Sequence, residues 1–178
     1  MNKIEIPLSK TKSLLTICGA ILFVIAGFYL FTIAEQQTRY YPIVIKIVSL
    51  VAILFFGAAG VVCIKKLFDK NIGLTIDENG IFDNTNASSI GLIEWNDITD
   101  IRTEKVQSTK FFLIYIKNPE KYLNKANGVK RKLMEGNNKM YGTPLSITSN
   151  SLKCKFSYLE KIINDSFTEQ QIEKLNRE

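Results

Sequence analysis

Two apolar runs separated by only eight residues govern what this chain can fold into. Residues 14 to 34 read LLTICGAILFVIAGFYLFTIA, twenty-one positions without a charge. At about 1.5 Å per residue a helix of that length covers roughly 30 Å, the thickness of the hydrocarbon in a bilayer. The second run, residues 43 to 64, holds one charge, Lys46, near enough to its start for the aliphatic stem to carry the ammonium to the headgroups. The connection EQQTRYYP is too short for anything but antiparallel neighbours, and it sets Tyr40 and Tyr41 where interfacial aromatics are favoured.

Charge orients this hairpin. Lys3, Lys10 and Lys12 precede the first run and Lys65, Lys66 and Lys70 follow the second, against Arg39 alone in the loop. Positive flanks stay on the cytoplasmic side, so both termini are expected there, with the hairpin in the plasma or inner membrane. A cleaved signal peptide is the rival reading of the first run, with residues 32 to 34 as a small-x-small site. The run exceeds a usual apolar region of about 7 to 15 residues, and a second span follows at once, which favours two spans. Gly19, Ala20, Ala26 and Gly27 in one helix and Gly57, Ala58, Ala59 and Gly60 in the other permit close backbone approach.

The net charge of +6 does not call for a polyanionic partner. Residues 1 to 70 contain eight Lys/Arg against three acids, whereas residues 71 to 178 contain fifteen against fourteen. Most of the excess therefore flanks the spans, and nucleic-acid binding is not expected of a nearly neutral distal domain without a known module. Cys18 and Cys63 lie in the apolar runs and Cys154 beyond them, with no pairing pattern, which points to free thiols. Histidine is absent. With no general base of that kind and no acid or cysteine cluster at ligand spacing, neither a cofactor nor a metal is expected. An enzyme is the competing class: Ser146, Ser149, Ser151 and Cys154 offer nucleophiles, but nothing adjacent in sequence activates them.

After Lys70 the pattern changes to strands. Leu74 and Ile76, a turn through Glu78, Asn79 and Gly80, then Ile81 and Phe82 read as a hairpin, Gly80 supplying a positive φ. Leu92 to Trp95, residues 98 to 106 and the run from Phe111 to Ile116 complete a predicted five-strand antiparallel meander, which must curl or gain a helix to cover its apolar face. Asn118, Pro119 and Glu120 form a helix start. Tyr122, Leu123, Ala126, Val129 and Leu133 share one helical face, with a weak point at Asn127 and Gly128 and a turn at residues 136 to 138. Residues 144 to 147 read as a returning strand. Leu159, Ile162, Ile163 and Phe167 make an amphipathic helix opened by a capping box at Ser157 and Glu160, with Thr168 and Gln171 starting a last short helix. Ile4, Ile6 and Leu8 alternate like an edge strand that Pro7 would end, although a disordered tail fits residues 1 to 12 as well.

The stretch Gly80-Ile81 followed by Gly91-Leu92-Ile93-Glu94-Trp95-Asn96-Asp97-Ile98-Thr99-Asp100-Ile101 resembles the Gly-x-Ile-x-Trp-x-Asp-Ile-x-x-Ile signature of bacterial PH-like domains. The fuller layout, Ile6-Pro7-Leu8-Ser9-Lys10 ahead of a two-helix hairpin, is similar to a family of uncharacterised bacterial membrane proteins. That resemblance implies an α+β fold for residues 71 to 178, a PH-like antiparallel sheet or barrel with a C-terminal helix, and it implies no reaction. The helical insert at residues 119 to 133 departs from a minimal barrel and leaves strand order after Ile116 open.

Trp95 is expected to pack over the mouth of such a barrel, with a ligand platform as the alternative. Asp97 is expected to brace its turn through hydrogen bonds to backbone N–H groups. The distinctive feature is charge segregation. Residues 71 to 104 carry seven acids and one base, while residues 117 to 139 carry seven bases against Glu120 and Glu135. Lys121, Lys125, Lys130, Arg131 and Lys132 thus form a candidate patch for anionic lipid or a protein partner, or else a solvated face that complements the acidic strands. The expected function is a membrane-anchored, non-enzymatic binding or scaffold module. The alternative is a small accessory subunit that acts through its hairpin.

Overall fold

The computed structural model describes residues 3 to 69 and 71 to 176, so the flanking charge of Lys70 lies outside the described residues. The chain divides into two compact units, one of residues 10 to 70 and one assembled from residues 1 to 9 together with 71 to 178.

In the first unit α1 (Lys10–Ile33) ends in a 3-10 turn at Ala34–Gln36, and α2 (Pro42–Leu67) begins with Pro42, whose missing N–H costs nothing in a first turn. Both helices are long and apolar enough to cross a membrane. They pack antiparallel through small residues: a Cβ on Gly27 would stand 2.8 Å from Ile53 Cγ1, and one on Gly60 would stand 3.7 Å from the Ala20 Cβ. Gly19 and Gly57, with the same sequence signature, face open space. Phe23 stacks on Phe56 with ring centroids 4.3 Å apart. Lys46 reaches the loop end of the hairpin and pairs with Glu35 at 2.7 Å. Outward, Leu22, Leu54 and Phe55 are exposed, an arrangement that lipid solvates and water does not.

The second unit starts before the hairpin. β1 (Ile4–Ile6) pairs antiparallel with β2 (Leu74–Ile76), which pairs with β3 (Gly80–Asp83), which pairs with β4 (Gly91–Glu94). The pairing with β2 ends at Ile6, next to Pro7, and the segment then meets a different stretch of chain. Pro7 cannot donate, but its carbonyl accepts from Lys153 N at 2.9 Å, Leu8 bridges Leu152, and Ser9 N donates to Ser151 O at 2.7 Å. The N-terminal segment therefore joins the first sheet to the stretch beyond the last strand.

The meander expected from sequence breaks after β4. Trp95–Asp97 forms a 3-10 turn, and β5 (Ile98–Val106), β6 (Thr109–Ile116) and β7 (Leu145–Thr148) make a separate sheet in the order β5-β6-β7. Neither sheet closes on itself. The loop after β3 ties the two together, since Asn86 Nδ2 donates to Ser146 O at 2.8 Å and Thr148 N to Thr85 Oγ1 at 3.4 Å. Ile76, Ile81, Phe112, Ile114, Ile147 and Leu159 sit at the centre of one shared core.

Three helices complete an α+β unit. α3 (Pro119–Leu123) is capped by Asn118, whose Oδ1 accepts from Lys121 N at 3.4 Å. α4 (Gly128–Tyr141) runs straight through the turn expected at residues 136 to 138, because a Cβ-less Gly136 on an open face costs only about 1 kcal/mol while Met134 beside it is fully buried. It stops at Gly142, whose φ of 77° is a left-handed cap, with Gly142 N donating to Asn138 O at 2.9 Å. α5 (Phe156–Leu175) is one helix, not two, and Thr168 and Gln171 lie inside it. Its N-cap is Lys155 without a side-chain cap, so Ser157 and Glu160 form no capping box, and Glu160 instead accepts from Thr103 Oγ1 on β5 at 2.9 Å.

Candidate functional site

Several polar side chains of the domain converge around the 3-10 turn Trp95–Asp97. Asp77 and Asn79 shape the β2–β3 turn, where Asn79 N donates to Asp77 Oδ1 at 2.9 Å, and this leaves the Asp77 carbonyl free to accept from Trp95 Nε1 at 2.8 Å. The Trp95 ring is buried, and Phe167 of α5 packs on it with centroids 6.4 Å apart. An open polar cleft of about 520 Å³ lies beside it, walled by Glu78, Glu94, Asn96 and Glu173. With its ring buried and its N–H engaged, Trp95 is chiefly a packed residue that also lines the cleft.

Asp97 does not brace its own turn as sequence suggested. Its Oδ2 accepts from Lys121 Nζ at 2.6 Å and from the Tyr122 hydroxyl at 2.7 Å. Lys121 also donates to Glu94 Oε1 at 2.9 Å, and the Tyr122 oxygen accepts from Glu94 N at 3.2 Å. This four-residue lock fastens α3 to the end of β4, and the Tyr122 hydroxyl gives Glu94 N the acceptor that a fifth strand would have given. Burial alone would push the Asp97 carboxyl up, but the hydrogen bonds from Lys121 and Tyr122 and the charges of Lys121 and Lys117 outweigh it and hold the group below its ordinary 3.8. Burial, then the bond to Asp97, pushes the Tyr122 phenol up to about 12. The Lys121 ammonium is held charged mainly by its bond to Asp97 and next by that to Glu94.

The lock has a measurable consequence. Asp97→Ala leaves the buried Tyr122 hydroxyl without its acceptor and should cost about 2 kcal/mol in unfolding free energy, followed by Trp95 fluorescence of the full chain in detergent. A carboxyl with a lowered folded pKa binds fewer protons when folded, so its stabilisation is complete above the unfolded value near 3.8 and is lost as pH falls through the folded value. Asp97→Asn should therefore flatten the acid limb of the stability profile.

Lys121 is thus engaged internally and leaves the basic patch. Lys125 lies over the Tyr122 ring, 4.8 Å from its centroid. Arg131 pairs with Glu135 at 2.7 Å and reaches Asn124 Oδ1 at 3.2 Å. Lys130 is half-buried and Lys132 exposed. The single helical face expected from Tyr122 to Leu133 is split by the break at residues 124 to 127: Tyr122, Leu123 and Ala126 are buried, whereas Val129 is 75% exposed and Leu133 46%. Met134 takes the buried position in α4. Glu94 and Tyr122, the two members of the lock not singled out as candidates from sequence, carried one usable signal, the opposite charge of the two segments they join.

In comparisons with known proteins, no family model matches the chain, and neither a curated protein nor a solved structure does.

Proposed function

We propose that this chain is a membrane-anchored, non-catalytic binding module: two spans hold a PH-like domain at the cytoplasmic face of the cell membrane, where the domain presents a binding surface. The observation that carries this reading is the pairing of Ile4↔Ile76 and Ile6↔Leu74. Residues on either side of the hairpin share one sheet, so an even number of crossings is the arrangement compatible with a folded domain. Two apolar helices provide that number. The lysines flanking them favour the cytoplasmic side for both ends. The polar residues of the signature turn are used to lock α3 in place, which suits a domain whose task is to hold a shape.

The test uses cells expressing the full chain with a C-terminal tag. The protein should stay with the membrane through an alkaline wash, and protease should remove the tag from inside-out vesicles but not from intact spheroplasts. Mild crosslinking of those vesicles should then recover the domain joined to lipid or to a protein. A chain released by the wash, or a tag cut from outside, would defeat the proposal.

A further inference from the structure

α4 has two faces. One is turned inward by Met134, which is fully buried, and by Tyr141, whose ring meets Phe111 edge-on at 5.6 Å. Residues 129, 133, 136 and 140 follow the three-and-four spacing of a single helix face. They are Val129, Leu133, Gly136 and Met140; Val129 is 75% exposed, Met140 72%, and a Cβ on Gly136 would meet nothing within 4 Å. The stripe therefore points away from the core of its own domain. Lys132 and Lys139, one heptad apart, run along one border, and Lys130 lies on the other. Arg131 and Glu135, which neutralise each other, are set further round.

We propose that this face of α4 is a docking helix for an anionic bilayer surface, with Val129, Leu133 and Met140 entering the headgroup boundary while Lys130, Lys132 and Lys139 meet lipid phosphates. An apolar stripe bordered by lysines is the composition that partitions into such an interface. The inference rests on the anchored reading above, because the spans keep the domain within reach of a membrane and make even weak docking effective. The flanking lysines are open to lipid phosphates, since none of the three forms an ion pair among the described residues.

The test uses the full chain with Cys18, Cys63 and Cys154 replaced by alanine and an environment-sensitive dye attached through Met140→Cys, or through Val51→Cys in α2 as a reference. Each is reconstituted in vesicles of phosphatidylcholine, with or without phosphatidylglycerol. The dye at 140 should shift to the blue and be quenched by lipid-borne quenchers only in the anionic vesicles. High salt, which shortens the screening length from about 10 Å to about 3 Å, should reverse the effect. Each Lys→Gln change at 130, 132 or 139 should weaken docking about fivefold, and the triple variant on the order of a hundredfold. Trp95 fluorescence reports that the variants remain folded. A dye at 140 left in water while the dye at 51 is quenched would overturn docking and leave the anchor standing. Both dyes in water would overturn the anchor itself. Shielding at 140 in native membranes but not in lipid vesicles would overturn the lipid proposal in favour of a protein partner.

Discussion

Replacing Trp95 with alanine is expected to lower the stability of the domain by about 4 kcal/mol, the largest loss at any single side chain here. The ring is 8% exposed and lies between the turn after β4 and Phe167 of α5. Its removal leaves a cavity at the junction where the chain passes from one sheet to the other, and it orphans the Asp77 carbonyl in the neighbouring turn. Trp95→Phe separates the two effects: it keeps most of the packing and loses one hydrogen bond, about 1 kcal/mol. Thermal melting followed by circular dichroism in detergent suits both variants, because neither retains the tryptophan fluorophore. A loss below 1 kcal/mol for alanine would show that the ring serves the adjoining cleft rather than the fold.

Gly80→Ala should cost about 3 kcal/mol or more. A Cβ at this position would stand 2.1 Å from the carbonyl oxygen of Ile93 and 3.0 Å from Glu94 Cα, both backbone atoms of the paired strand, and the φ of +157° disfavours a side chain as well. No rotamer relieves such contacts, so β3 and β4 must separate at the point where Glu94 enters the lock with Lys121 and Tyr122. Gly136→Ala provides a contrast of opposite sign. It sits mid-helix with open space around it and should stabilise α4 by about 0.5 to 1 kcal/mol. Trp95 fluorescence during urea unfolding measures both, and equal effects would contradict the close approach at Gly80.

Local patterns carried much of this structure. The two apolar runs, with Lys46 as their one charge, prescribe α1 and α2 within a few residues, because some twenty consecutive apolar positions are long enough for a helix and too long for a strand. Asn118 followed by Pro119 prescribes the start of α3, since both its cap and its first turn are encoded in adjacent side chains. What was illegible depends on contacts distant in sequence. The turn expected near Gly136 gives way to a continuous helix because Met134 before it is buried and Tyr141 after it packs edge-on against Phe111. Asp97 carries turn chemistry in its local sequence, yet its partners come from a helix more than twenty residues on. For the candidate surface, composition identified the basic segment but not its division, in which Lys121 is consumed by the lock while Lys130, Lys132 and Lys139 border an apolar stripe. The break between α3 and α4 at residues 124 to 127 decides that division, since it resets the helical phase.

The pairing of β1 with β2 also orders events in synthesis. Ile4 and Ile6 are made before the two apolar helices, yet their partners Ile76 and Leu74 emerge only after both helices have been made. With the two helices spanning a membrane as proposed, the sheet can be completed only if both of them cross, since a single crossing strands residues 4 to 6 on the side opposite β2. A copy with one crossing would therefore lack β1 and leave that edge of β2 unpaired, so the completed sheet is tied to the parity of the crossings.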